Sequence, residues 1–182
     1  MKNLTNRILL AKPVLDDPNF TRTVIWLLEQ GDQGTSGFVI NRPISPKMGD
    51  IITDFPLPDF PVYLGGPVET NTLHFVHQYG AEAEGGLALS EDWKWGGSFE
   101  TILELARQSR LREAEMRFFV GYSGWAPGQL EDEIQQDVWV EGPKFYPEIL
   151  KMNPKSMWRL ILRSMGGDYA IMANHPENPD LN

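Results

Sequence analysis

Four groups of side chains in this sequence have types and spacings that could do chemistry. Gly121-Tyr122-Ser123-Gly124-Trp125 follows the apolar run Phe118-Phe119-Val120, so Ser123 is expected at a strand–turn–helix junction, where a nucleophile elbow would place a serine. The elbow needs glycine two residues after the serine to relieve backbone crowding, and Trp125 stands there, so Ser123 reads as a turn serine satisfying local backbone groups. His74 and His77 could share a metal ion on a helix, but Leu73-His74-Phe75-Val76-His77 reads as a strand, on which a spacing of three sends them to opposite faces. Glu131 and Glu133 sit about 200° apart around a helix at ~100° per residue and do not converge alone. Neither Gly65-Gly66-Pro67 nor the glycines of 121–128 match a dinucleotide or Walker-type phosphate loop. Glu131, Asp132 and Glu133 at the start of the predicted helix stabilise its dipole and would repel a phosphate. With no cysteine in the chain, thiolate zinc, iron–sulfur and cysteine-nucleophile chemistry are excluded together. No metal site and no cofactor is expected.

Arg22, Arg42, His77 and Glu131 are the remaining acid/base candidates, because they adjoin turn motifs at strand ends. An arginine in such a place more often holds a carboxylate or a backbone carbonyl than a substrate. Trp125 and Trp139, on either side of the predicted helix, read as core aromatics. Arg107, Arg110, Arg112 and Arg117 crowd one region, but the formal net charge is −9, and a generic duplex binder needs a basic face to release counterions. The cluster therefore reads as a solvated helix end, and direct generic nucleic-acid binding is not expected.

The elements that must position these residues are short. Ile8–Ala11, Thr23–Glu29, Gly37–Asn41, Val62–Leu64, Leu73–His77, Leu87–Leu89, Met116–Tyr122 and Val138–Val140 read as strands, rich in β-branched and aromatic residues. Asp16-Asp17-Pro18-Asn19 is turn chemistry, and Gly31-Asp32-Gln33-Gly34 predicts a hairpin, with a bulge near Gly34 or Gly37. Helices are predicted over 47–54 with Ser45 as N-cap, over 98–109 with Ser98 as N-cap, over 128–136, and over 156–165 closed by Gly166-Gly167. Tyr169–Ala173 is expected as a last strand, the segment 81–86 as a polar loop, and residues 174–182 as a frayed tail. At 182 residues the chain predicts one domain. Connections too short for regular βαβ crossovers favour an α+β fold with a mostly antiparallel or mixed sheet. No apolar run reaches the length of a signal core or the ~20 residues of a membrane span, so a cytoplasmic protein with no membrane association is expected.

Four segments in this order resemble the AlgH/YqgE-like family of bacterial proteins: Leu15–Val24, Gly37–Pro43, Tyr63–Val68 and Gly121–Glu131. The chain after about residue 140 contributes little to that likeness. The resemblance implies a single α+β domain whose bifurcated sheet folds into a pseudo-barrel flanked by helices. It also implies a link by annotation to transcriptional regulation, although no helix-turn-helix is visible here. The family has no established active site, so no catalytic role carries over. Its members commonly have a Glu-His pair after the second strand, where this chain has Glu29-Gln30, and Gln30 could not replace the proton chemistry of a histidine.

The sequence thus reads as a non-enzymatic regulatory or binding module for a small ligand or a protein partner, with a possible transcription link through a partner. The alternative is an enzyme with an acid/base site built from Arg42, His77 and Glu131. Asn41, Arg42, Gly66, Trp125 and Gln129, all at predicted strand ends, are expected to line one cleft, with Arg22, Gly65, His77 and Glu131 beside it.

Overall fold

In the computed structural model, residues 3–13, 15, 17–80 and 82–176 are described. The readings made for Asp16, Ala81 and the tail beyond Pro176 lie outside the described residues. The chain runs β1 (Arg7–Ala11), β2 (Val24–Gly31), β3 (Gly34–Val39), β4 (Pro43–Lys47), α1 (Met48–Ile51), β5 (Pro61–Leu64) and β6 (Val68–His77). It continues through β7 (Leu87–Ala88), β8 (Lys94–Trp95), α2 (Phe99–Arg107), β9 (Met116–Trp125), α3 (Gln129–Gln135) and β10 (Trp139–Lys144). A 3₁₀ turn (Pro147–Lys151), α4 (Pro154–Met165) and α5 (Gly167–Met172) complete it. The result is a single α+β domain with a mostly antiparallel sheet.

The main path is β10-β1-β2-β3-β9-β6-β8-β7, and β5, itself paired with β4, joins β9 in parallel. β9 is the branch point. Its residues 118–120 pair with β5, and residues 123–125 pair with β3. The path does not close on itself among the described residues, so the expected pseudo-barrel is replaced by an open, branched sheet. The branch needs glycine. A Cβ on Gly65 would lie 2.3 Å from the carbonyl oxygen of Gly121, and Gly121 itself has φ +65°. These two chains cross with no room for a side chain.

β1, β2 and β3 are apolar on both faces because each face has its own cover. Ile8, Leu10, Val24, Trp26, Phe38 and Ile40 pack with Met157, Trp158, Ile161 and Leu162 of α4 in one core. Leu9, Ile25, Leu27 and Val39 pack with Trp125, Leu130 and Trp139 in a second. A third core joins α2 to Phe60, Val62, Phe75 and Phe118. This two-sided cover explains continuous apolar runs where a half-exposed strand would alternate. Each fully buried large side chain contributes about 1.5–3 kcal/mol.

Ser98 caps α2 as expected, accepting from Thr101 N–H at 3.2 Å. The β2–β3 hairpin turns at Asp32-Gln33, and its bulge is Leu28, opposite Gly37 and Ser36. Three expectations are corrected. Pro43–Lys47 is an edge strand, where proline's missing N–H is tolerated, and α1 therefore starts after Lys47, whose N–H donates to Asp50 Oδ2 at 2.8 Å, rather than at Ser45. Tyr169–Ala173 is helical over most of its length. Gly166 (φ +73°) and Gly167 (φ +52°) reverse the chain after α4, and Ile171 is 72% exposed while Ala173 is buried, which is not a strand's alternation. Gly121–Gly124 belong to β9 itself, so the turn shrinks to Ala126-Pro127-Gly128 and Ser123 sits in a strand, not at an elbow.

Candidate functional site

β2 begins beside the end of β3, and the residues there form a cavity with the first turns of α4. Asn41 is the tie. Its Oδ1 accepts from Val24 N–H at 2.9 Å, and its Nδ2 donates to the Arg22 carbonyl at 2.9 Å. Arg22 is thereby held at φ +53°, a left-handed conformation that a non-glycine residue seldom adopts. Its guanidinium lies 5.1 Å from the ring centre of Trp158 and donates to the His175 carbonyl. Arg42 donates to the carbonyls of Pro18, Asn19 and Thr21, at 3.0, 2.5 and 3.1 Å, and so fixes the loop between β1 and β2. Desolvation pulls the Arg42 pKa down, and nearby Asp17 pushes it back up.

Asn153 and Pro154 start α4 by rule. The Asn153 side chain accepts from Lys155 N–H at 3.0 Å, and Pro154 lacks the N–H that a first turn leaves unpaired. Thr21, Arg22, Asn41 and Arg42 then face Lys155, Ser156, Trp158 and Arg159 across a cavity of about 740 Å³. Four cations line it, and no carboxylate among the described residues does. Behind it Arg117 is 3% exposed and donates to the carbonyls of Ile40 at 2.7 Å and Leu150 at 2.6 Å, with its guanidinium 4.1 Å from the Tyr63 ring centre. Burial pushes the Arg117 pKa down, yet a guanidinium stays charged across the working range. Arg22, Arg42, Arg117 and Arg159 each donate to main-chain carbonyls, which satisfies part of their hydrogen-bonding capacity.

The other expected site residues lie elsewhere. Gly65 and Gly66 are pressed against the β9 backbone, and Ser123 Oγ, fully buried, donates to the Gly65 carbonyl at 3.1 Å. His77 is buried between Gly96, whose carbonyl lies 2.9 Å from its Nε2, and Tyr79, whose N–H donates to its Nδ1 at 3.2 Å. Both ring nitrogens are engaged in the sheet, and desolvation lowers the ring's pKa. Glu131 accepts from Gln30 Nε2 at 2.7 Å, and Gln30 Oε1 accepts from Leu4 N–H at 2.7 Å. Arg42, His77 and Glu131 are thus held by separate partners, on the β3–β4 connection, on β6 and on α3 respectively. Gln129 accepts from Ala126 N–H and donates to Glu133, both at 2.9 Å. Asn41 and Arg42 line the cationic cavity, whereas Trp125 lines a cavity beside the β2–β3 hairpin, so these residues of the expected cleft are divided between two places.

Several key residues were not picked out from sequence. Lys155 and Arg159 are four apart on α4, a spacing that puts two cations on one helix face of an acidic protein and could have marked them. Glu133 accepts from Gln129 and from the indole N–H groups of Trp125 (2.9 Å) and Trp139 (2.7 Å), a convergence of three segments that no local spacing shows. The expected basic cluster dissolves. Arg117 is interior, Arg107 pairs with Glu104 at 3.2 Å, and Arg110 pairs with Glu82 at 2.9 Å. His74 and His77 do face opposite sides of β6, against Trp95 and Phe75 respectively, and no group of three or more metal-binding side chains occurs among the described residues. No helix among them is long and apolar enough to cross a membrane.

Comparison with known proteins gives a consistent result. The AlgH-like family model matches residues 8–170. A UPF0301 protein of Chlorobium limicola is 38% identical over 176 residues, covering 97% of this chain and 94% of that protein. The solution structure of the AlgH protein from Pseudomonas aeruginosa superposes with a TM-score of 0.75 at 26% identity, covering 98% of this chain and all of that one. A crystal structure from Corynebacterium diphtheriae, at 21% identity and the same TM-score, shares the fold over 96% of this chain and 94% of that one.

Proposed function

We propose, from the premise that this chain belongs to the AlgH-like family, that it is a binding module for a small anionic ligand, without general acid–base chemistry of its own. One observation carries this reading: the cavity of about 740 Å³ in which Arg22, Arg42, Lys155 and Arg159 meet at the N-terminal turn of α4. In a protein of net charge −9, cations gathered in one concavity are a local exception, and they focus potential on a small anion rather than on a polyanion. The helix end adds the positive end of its dipole. The volume suits a phosphorylated or polycarboxylated metabolite. Such ligands are intracellular, in keeping with a cytoplasmic protein. A regulatory role, including any link to transcription, would run through this ligand or a protein partner that senses it.

The ligand state would reach the end of the chain through the same cations. Arg159 Nε donates to the Ala173 carbonyl at 3.1 Å, and Arg22 to that of His175. An anion that draws these guanidinium groups inward competes with both contacts. Titration calorimetry of the full chain at low ionic strength with inorganic phosphate, pyrophosphate and citrate tests the proposal. Saturable binding is expected, weakened about tenfold in Lys155→Glu, a loss near 1.4 kcal/mol. No saturable heat below about 10 mM for any of the three, or binding unchanged in the variant, would sink it.

A further inference from the structure

At the opposite end of β3 the first core opens into a second cavity, of about 770 Å³, with a different chemistry. Its wall is aromatic. His74 stands 5.9 Å from Trp95 and 5.9 Å from Tyr122, centre to centre, with interplanar angles of 58° and 85°. Phe38, stacked at 4.3 Å on Phe119, forms the base beneath His74 and Trp95, 5.5 Å from each. Three half-buried rings meet here over an apolar floor, with His74 steeply tilted to both of its neighbours. Carboxylates complete the lining. Glu29, Asp32 and Glu69 are all exposed around the rings, and no lysine or arginine lines the cavity among the described residues.

The hydrogen bonds fix the role of one nitrogen of the ring at the centre. The Thr72 hydroxyl donates its single proton to the Glu69 carbonyl at 2.7 Å, so at 2.8 Å from His74 Nε2 it can only accept. His74 Nε2 therefore carries a proton and donates it to that hydroxyl. Desolvation favours the neutral ring and lowers its pKa, with Glu69 opposing. Ser36, a lining residue on the Phe38 face of β3, has an inaccessible hydroxyl with no hydrogen-bond partner among the described residues. The protein places its own guanidinium groups over Tyr63 and Trp158, and no such pairing involves Trp95 or Tyr122 among the described residues.

We infer that this cavity is a binding site for an organic cation of the alkylammonium class, held against the faces of Trp95 and Tyr122 and neutralised by Glu69, Glu29 and Asp32. Ring faces attract a weakly hydrated cation through their quadrupoles, and a methylated or alkyl ammonium gains more there than a metal ion, which would have to shed its water. The acidic rim alone would accept any cation, and the rings confer the preference for an organic one. This site is independent of the anionic ligand proposed above, since the two cavities share no residue.

Nuclear magnetic resonance of the indole N–H groups in the full chain tests the inference with tetramethylammonium chloride and spermidine as probes, and sodium chloride at matched ionic strength as the control. Saturable shifts of the Trp95 indole with either probe and not with sodium are expected. The affinity falls about fivefold in Glu69→Gln and about tenfold or more in Trp95→Leu or Tyr122→Leu. A response to tetramethylammonium assigns the site to methylated ammonium groups, and a response to spermidine alone assigns it to polyamines. If Trp95→Leu does not fold, the half-buried Tyr122→Leu carries the test. Absence of any saturable shift overturns the inference. So does binding that responds to Glu69→Gln but is unchanged when the rings are replaced, because simple charge attraction then suffices.

Discussion

The two ends of β3 are built in opposite ways from the same short strand. At Asn41 and Arg42 the cavity wall is cationic, and its arginines donate to main-chain carbonyls. Around Ser36, about 17 Å away at ~3.4 Å per residue, the wall is aromatic and acidic, and its rings are fixed by packing. The cationic end is accordingly organised by polar contacts that must be complete to be stable, since a buried carbonyl left alone costs more than its bond contributes. The aromatic end is organised by shape, and one polar group there, Ser36 Oγ, has no partner among the described residues. The two sites stay apart because the residues between them, Phe38 and Val39, are sealed in two cores.

The largest effect that would break this contrast is loss of the packed rings. Phe38→Ala is expected to cost about 3–5 kcal/mol in denaturant unfolding, with the Trp95 and His74 side losing its floor. A cost below about 1 kcal/mol would mean that the ring corner is not held by packing. A matched pair of truncations sharpens the comparison at smaller scale. Asn41→Ala removes two hydrogen bonds and the restraint on a left-handed Arg22, and should cost about 1–3 kcal/mol, whereas Ser36→Ala should be neutral or slightly stabilising. Equal losses from the two would erase the distinction.

The smallest expected effect is that of pH. His74 and His77 have pKa values lowered in the folded state from the ordinary 6.5, so the unfolded chain binds more protons and stability rises with pH. Their contribution is complete above the unfolded value and is lost as pH falls towards and through the lowered folded values. Denaturant midpoints measured at about pH 7 and about pH 5 should therefore drop on acidification, by less in His77→Gln and in His74→Gln than in the parent. A midpoint equally sensitive to pH in both variants would remove the histidines from the account.

Local patterns accounted for most of the elements. Ser98 before Phe99, Ile102 and Ala106 specified α2, and the glycines around Asp32-Gln33 specified the hairpin, because caps and turns involve residues a few positions apart. Local patterning failed where partners were distant. Pro43 and Pro46 look like strand breakers until β5 shows that they lie on an edge. Tyr169–Ala173 has strand-like composition, and only the reversal at Gly166-Gly167 and the surface of α4 make it helical.

By itself the amino-acid sequence determined the fold class, the absence of cysteine chemistry, the lack of an elbow glycine after Ser123, and the opposite facing of His74 and His77. Each of these depends on residue type or on a spacing of a few residues. The tertiary structure alone decided that Arg42 shares a cavity with Lys155 and Arg159, over a hundred positions away, and that His74 stands between Trp95 and Tyr122. Charge and ring geometry act over ångströms in space, and a chain brings residues to that range only by closing loops whose ends no local pattern identifies.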